Sequence, residues 1–432
     1  MCYNNSMKLS EELLWRGFHA ETTVKDPAIL DTQTHKFYLG ADPSADSLTI
    51  GNLAALMMCA CFARHGYEPH LLVGGATGQI GDPKENGERE LKSIEEIEHN
   101  KACIAEQMQR VWKLAAEASG IENAAEAPVF DNYSWFKDIS YLDFLRNVGK
   151  SFSMTQLLDR KFIQSRIGEG GSGISYAEFS YTLIQGYDFW HLYRNYGIDL
   201  QICGADQYGN ASSGIHLIRR FENAEANVWS TPLVIDPVTG RKFGKSEGNA
   251  VWLAATDNGQ GNFTPVFDFY QFWLNQPDES VDYLLKIYTV YEREVVEQIS
   301  ADHAAAPEKR LAQKALARGV TEVVHGKEAA EAVESLSMKL FDKSAVLAQS
   351  DLEAAKTAFP SVERGINVVD ALVETGLAAS KTEARNFLKS GAISAVTEGK
   401  SAAESTKITD ETTILSEPAL LKRGKNRFAT VK

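Results

Sequence analysis

Lys36-Phe37-Tyr38-Leu39-Gly40-Ala41-Asp42-Pro43-Ser44-Ala45-Asp46-Ser47-Leu48-Thr49-Ile50-Gly51-Asn52 is the stretch on which the fold turns. Lys36 to Leu39 reads as a short strand, and Gly40 to Ser47 as a loop built from turn residues. From Asn52 to His65 apolar residues recur at Leu53, Leu56, Met57, Ala60 and Cys61, which is helical spacing with one buried stripe. Strand, polar loop and helix in that order place free N–H groups and a positive dipole end at Thr49 to Asn52, a natural anion site. Gly51 lets a ligand approach the backbone closely.

The pattern then repeats. His70 to Val73 reads as the next strand, running into Gly74-Gly75-Ala76-Thr77-Gly78-Gln79-Ile80-Gly81-Asp82-Pro83. Strands alternating with helices at this spacing predict an α/β fold, a doubly wound parallel (Rossmann-like) sheet whose ligands sit at the carboxyl ends of the strands. The glycines form neither a dinucleotide fingerprint nor a P-loop, and Asp82 taken alone fits a turn cap. Lys84 to Arg89 follows as a charged loop, and helices are expected over Leu91 to Ala116, Tyr141 to Val148 and Met154 to Arg166. Tyr176 to Tyr196 reads as an aromatic-rich helix on which Tyr181, Gln185 and Asp188, at i, i+4 and i+7, share one face. Such a stripe is either a solvated face or a buried polar site that needs partners. Ile198 to Cys203 reads as a strand feeding Gly204-Ala205-Asp206-Gln207-Tyr208-Gly209-Asn210, the next helix carries Arg219 and Arg220, and Pro232 to Ile235 reads as another short strand.

That last strand leads into Lys242-Phe243-Gly244-Lys245-Ser246, two lysines three apart with a hydroxyl after them and turn residues on both sides. In isolation this is a solvated turn; beside a nucleotide pocket it is a cationic loop that can fold over polyphosphate.

Composition sets the limits. A chain of 432 residues with 44% apolar and 24% charged residues is long enough for two or three domains with real cores. The apolar run Ala54 to Ala63 is too short to span a bilayer and the first residues lack an apolar signal core, so a cytoplasmic protein without membrane contact is expected. Five scattered cysteines and nine histidines fall into no metal-ligand spacing, which predicts no structural zinc. Net charge is −14, but residues 361–432 carry eleven Lys/Arg against nine Asp/Glu, +2, which leaves −16 for the remainder. Any RNA contact must therefore use patches.

Tyr38 to Asn52 resembles the first signature of class I aminoacyl-tRNA synthetases, and Lys242 to Ser246 the second. Val73 to Gly78 with Asp82-Pro83, Phe179 to Phe189, and Gly204 to Asn210 resemble the bacterial-type tyrosyl family, and the likeness covers nearly the whole chain. The resemblance implies ATP-dependent activation of L-tyrosine and its transfer to the 3′ end of tRNA(Tyr), with Mg²⁺ accompanying ATP and a homodimer whose interface includes Asp143 to Met154. Tyr38 and Asp188 match the pair that reads the phenolic hydroxyl; Tyr181, Gln185 and Asp82 match the ammonium site, and Gln207 a position near the carboxylate. For ATP it implies Asp42, Ser44, Thr49, Gly51, Gly204, Asp206 near the ribose, Lys84, Arg89, Lys242, Lys245 and Ser246. Thr49 and Asn52 stand where the family usually carries histidine. Their hydroxyl and amide keep hydrogen bonding but lose imidazolium charge, so an active enzyme is expected, with a catalytically impaired RNA-binding scaffold as the alternative.

Three regions are expected: a catalytic domain over 1–247 with an interface insertion around 130–165, an all-helical anticodon-side domain over 248–350, and a small helix-plus-sheet RNA-binding domain over 363–432. In the last, Lys381, Arg385 and Lys389 fall at i, i+4 and i+8, and Lys422, Arg423, Lys425 and Arg427 cluster near the end, a pattern suited to phosphate contact. Arg219 and Arg220 join them as RNA-binding candidates.

Overall fold

The computed structural model describes residues 7–83, 90–121, 126–158, 161–168, 170–235, 240, 250–342, 344–424 and 427–432. Lys84, Arg89, Lys242, Lys245, Ser246 and Lys425 lie outside them. The chain gathers into two compact units, Met1–Phe263 with Pro277–Ala312, and Thr264–Gln276 with Gln313–Lys432.

The first unit is built as β1 (Lys36–Ala41), α1 (Ile50–Arg64), β2 (Glu68–Val73), α2 (Ile94–Ala118), β3 (Val129–Asp131), α3 (Tyr176–Tyr196), β4 (Leu200–Gly204), α4 (Tyr208–Glu222) and β5 (Asn227–Thr231). Their order in the sheet is β3-β2-β1-β4-β5, all parallel, with Lys36 to Ala41 of β1 opposite Glu68 to Val73 of β2 and Phe37 opposite Leu200 of β4. The chain thus winds outward from β1 in both directions, which opens a crevice above the carboxyl ends of β1 and β4. Phe37, Tyr38 and Leu39 are buried in the middle of the sheet. Around α1 burial is nearly continuous, from Leu53 through Phe62, because the helix is sandwiched within the unit; the apolar stripe understates it. The start and stop of α3 follow its sequence: the Ser175 hydroxyl accepts from Glu178 N, and Gly197 closes it at φ 71°.

One local reading changes. The strand expected at Pro232 to Ile235 is instead β5 at Asn227–Thr231, where Val228, Trp229 and Ser230 are buried. Proline has no N–H for the ladder, so the strand ends before it. The helix expected over Met154 to Arg166 is seen at Met154–Leu158 and Lys161–Ile167, with Asp159 and Arg160 outside the described residues.

Pro277–Ala312 packs within the first unit. The cause is a buried cation. Arg16, on the helix Leu9–Arg16, is 2% exposed and donates to the carbonyls of Lys286, Thr289 and Tyr291 and to the Glu12 carboxylate. From the helix Asp278–Tyr288, the Tyr288 hydroxyl donates to Ile50 O at the start of α1. In the second unit, helices Val266–Leu274, Lys327–Phe341 and Gln349–Ala358 accompany a sheet ordered Ser361–Val362, Arg427–Val431, Ala419–Arg423, Ile393–Thr397, Thr406–Lys407, with helices Val368–Glu374 and Lys381–Lys389. Phe267, Phe359 and Phe428 stack in sequence at 4.7 and 5.2 Å, which joins the helices to the sheet.

Replacing Arg16 by Met removes the cation while leaving Glu12 and three carbonyls buried. Arg16→Met is expected to cost about 3–5 kcal/mol of stability, read as a fall in the urea midpoint; an unchanged midpoint would show that the clamp is not what holds 277–312 in place.

Candidate active site

The polar residues picked from the sequence converge on the crevice. Asp42 follows β1, Gly74 to Asp82 follow β2, and Gly204 to Gln207 end β4, while α3 supplies Tyr181, Gln185 and Asp188. Tyr181 is 5% and Asp188 1% exposed, so the polar stripe is a buried site and no solvated face.

One hydrogen-bonded network crosses it. Asp42 accepts from the Tyr181 hydroxyl at 2.8 Å on one carboxylate oxygen and from the Thr77 hydroxyl at 2.7 Å on the other. Asn132 Nδ2 donates to Thr77 Oγ1 at 3.1 Å and to Asp188 Oδ2 at 3.0 Å, and the Trp135 indole donates to Asp188 Oδ1 at 2.9 Å. A second cluster surrounds Asp82, which accepts from Gln207 Nε2 at 2.8 Å and Asn210 Nδ2 at 3.3 Å; Thr182 Oγ1 in turn donates to Asn210 Oδ1 at 2.6 Å. Gly74 is required here, because a Cβ on it would lie 2.1 Å from Thr77 Oγ1 and 2.2 Å from Asp42 Oδ1.

Three carboxyl groups, Asp42, Asp82 and Asp188, share this site without a lysine or arginine among the contacts just described. Burial pushes the Asp188 carboxyl up to about 8, against the opposing effect of the Asn132 and Trp135 hydrogen bonds. Burial also raises the Tyr181 hydroxyl well above its ordinary value, with Asp42 and Asp82 adding to the effect, and raises Tyr38 with Asp188 adding. Both phenols are therefore neutral donors at pH 7.

Among the buried polar atoms without a partner in the described residues are two at this site, the Tyr38 hydroxyl, on the 1% exposed ring of β1, and Gln185 Oε1. An unsatisfied buried donor or acceptor carries a desolvation penalty that a bound molecule can relieve. The arrangement suits a small amphoteric ligand with a hydroxyl at one end and a cation at the other.

At the first signature, the Asn52 side-chain oxygen accepts from both the backbone N–H of Thr49, at 3.0 Å, and its hydroxyl, at 3.1 Å. Thr49 and Asn52 thus cap α1 themselves, and Thr49 is 2% exposed. Ser44, Gly51 and Asp42 lie on the same β1–α1 connection, and Gly204 lies where a Cβ would come within 2.7 Å of Asp206 Oδ1.

The basic candidates lie elsewhere and several are engaged. Arg219 and Arg220 are in the last turn of α4, with Arg219 paired to Glu225 at 2.8 Å. In the second unit Lys381 pairs with Asp370 at 2.7 Å and Arg385 with Glu411 at 2.9 Å, while Lys389 is exposed. Lys422 lies over the Phe428 ring at 5.6 Å and Arg423 over Phe387 at 4.7 Å. Sequence reasoning missed Asn132, Trp135, Thr77 and Asn210. The first two follow a strand of three residues that carries no periodic signal, whereas Thr77 and Asn210 stand inside quoted motifs and are recognisable as short polar groups beside them.

Comparison with known proteins bears on the whole chain. The family model "tRNA synthetases class I (W and Y)" matches residues 30–342, and "Tyrosine--tRNA ligase SYY-like C-terminal domain" matches residues 351–431. A tyrosine–tRNA ligase of Streptococcus thermophilus is 39% identical over 98% of this chain and 99% of its own length, and one of Staphylococcus haemolyticus 38% over 99% of each. Among solved structures, a C-terminally truncated mitochondrial tyrosyl-tRNA synthetase of Aspergillus nidulans superposes with a TM-score of 0.67 at 27% identity, over 78% of this chain and 95% of that one. With its parallel sheet, its crevice and matches along almost its full length, the chain belongs to the class I tRNA synthetases of the tryptophan and tyrosine group, and within them to the tyrosine–tRNA ligases.

Proposed function

We propose that the chain activates L-tyrosine with ATP and passes the tyrosyl group to tRNA(Tyr). The observation that carries this reading is the pair of unpartnered buried atoms, the Tyr38 hydroxyl and Gln185 Oε1, set among the Asp188 and Asp42 networks. A tyrosine phenol satisfies Tyr38 and Asp188. Its ammonium satisfies Gln185 and lies beside the Asp42 and Asp82 carboxylates, with Tyr181 fixing Asp42. Phenylalanine leaves the Tyr38–Asp188 end unpaired, and tryptophan does not match its spacing.

The substrate carboxylate then faces the Gln207 end and attacks the α-phosphorus of ATP in line; pyrophosphate leaves, and a hydroxyl of the terminal adenosine of tRNA next displaces AMP from the tyrosyl carbonyl. No protein nucleophile is needed, so the chain acts by positioning and by stabilising charge. Ser44, Thr49, Gly51 and Asn52 face the nucleotide from the β1–α1 connection, Gly204 and Asp206 from the end of β4, and Lys84, Arg89, Lys242, Lys245 and Ser246 supply donors to the polyphosphate. Mg²⁺ enters on ATP and neutralises part of its charge. Arg219, Arg220, Lys381, Arg385, Lys389, Lys422 and Arg423 contact the RNA backbone, with Arg219, Lys381 and Arg385 exchanging exposed carboxylate partners for phosphates. The exposed Tyr141, Leu142, Met154 and Tyr176 support a homodimer through the 130–165 region. No helix among the described residues is long and apolar enough to cross a membrane, in keeping with work in the cytoplasm.

Tyrosine-dependent exchange between ATP and pyrophosphate, without tRNA, tests the activation step; exchange with tyrosine and none with phenylalanine or tryptophan is expected, and its absence from folded protein with Mg²⁺ would refute the reading. Tyr38→Phe should lower kcat/KM for tyrosine about 2- to 12-fold, the worth of one hydrogen bond, and narrow the margin over phenylalanine. The Asp188 carboxyl, raised from 3.8 to about 8, binds a proton in the folded state that the unfolded chain releases at lower pH. Its stabilisation is complete below the unfolded value and is lost as pH rises through about 8. Asp188→Asn should therefore flatten the decline in Tm of the substrate-free protein from about pH 4 to about pH 8; an identical slope in the variant would mean that Asp188 titrates normally.

A further inference from the structure

Asp46 lies in the β1–α1 connection, between Ser44 and Thr49, and is 1% exposed. A carboxyl so deeply buried needs partners, and its hydrogen-bond donors among the described residues are neutral and come from one distant segment. Asn262 Nδ2 donates to Oδ1 at 2.7 Å, Gln260 N to Oδ2 at 3.2 Å, and Asn258 Nδ2 to the Asp46 carbonyl at 3.0 Å. The segment is itself shaped to reach it: Asp257 Oδ1 accepts from the N–H groups of Gly259 and Gly261, each at 2.8 Å, and both glycines have positive φ, 116° and 73°.

The same strap holds the connection at four further places. Gln260 Nε2 donates to Asn100 Oδ1 at 2.6 Å, and Asn100 Nδ2, fully buried on α2, donates to Pro43 O at 3.1 Å. Ala254 N donates to Ser47 Oγ at 3.0 Å, Leu253 N to Leu48 O at 2.8 Å, and Ile50 N to Val251 O at 3.1 Å. From Pro43 to Ile50 the connection is therefore pinned along its length by residues 251–262, and it carries Ser44 and Thr49, two of the candidate nucleotide groups.

We propose that Gln260 and Asn262 are positioning residues for ATP, holding the β1–α1 connection through Asp46 and Asn100 in the shape that meets the polyphosphate. This rests on the functional reading above and adds to it a set of residues that touch no substrate. The tyrosine pocket meets this connection at Asp42, which Thr77 and Tyr181 hold and which none of the strap bonds named above touches, so the two substrates respond differently when the strap is cut.

The test is Asn262→Ala in the full chain, with three readouts: tyrosine affinity by equilibrium dialysis without ATP, KM for ATP and kcat in pyrophosphate exchange, and Tm. The expected result is a rise of about tenfold in KM for ATP, from a displaced connection, with tyrosine affinity within about twofold of the parent. Asn262→Asp should be worse, since it sets a like charge against Asp46, and Gln260→Ala, which keeps the Asn262 contact, should be milder and serves if Asn262→Ala fails to fold. A lowered Tm with unchanged KM for ATP would overturn the proposal and make the strap merely structural. Equal losses in tyrosine affinity and ATP KM would overturn it too, as a general loosening. Lack of exchange in the parent protein would instead sink the functional reading, and the strap's role in it.

Discussion

The carboxylate of Asp42, shared between the hydroxyls of Thr77 and Tyr181, is the contact on which the rest of the site depends. It joins the chain after β1, the turn after β2 and the helix α3, three segments distant in sequence that meet only because β1 lies between β2 and β4. Gly74 is the steric condition for it, and the Asn132 amide carries the connection on to Asp188. Topology brings the strand ends together; this chain of bonds converts that nearness into fixed geometry.

Asp42, Asp82 and Asp188 are drawn together in partly or fully buried positions, and burial raises the Asp188 carboxyl. The Tyr38 hydroxyl and Gln185 Oε1 lack hydrogen-bond partners there, a desolvation cost that a bound molecule can relieve. Elsewhere in the first unit the opposite solution is used: the buried Arg16 guanidinium is satisfied internally by three carbonyls and a carboxylate.

Much of this was legible in the sequence. The strand–loop–helix pattern at Lys36 to His65 and the polar face of Tyr181, Gln185 and Asp188 follow from periodicity, because both elements repeat a buried face over several turns. What escaped was set by contacts between distant residues. Val129–Asp131 is too short to show alternation, so Asn132 and Trp135 beside it were invisible. Arg16 and the strap residues after Ala254 carry no local signal, since nothing nearby in the sequence announces that their partners are buried. Lys381 and Arg385 share one helix but carry acidic neighbours that spacing along it does not reveal.

The Arg16 clamp also bears on the order in which the protein is made. Its carbonyl partners begin 270 residues further along the chain. At typical synthesis speeds of 5–20 residues per second, the N-terminal helix therefore waits about 14 to 54 s on the ribosome before the groups that neutralise its arginine exist. Over that interval Glu12 is the partner within reach, one turn away on the same helix, so a helix made long before its partners is among the last to reach its final environment.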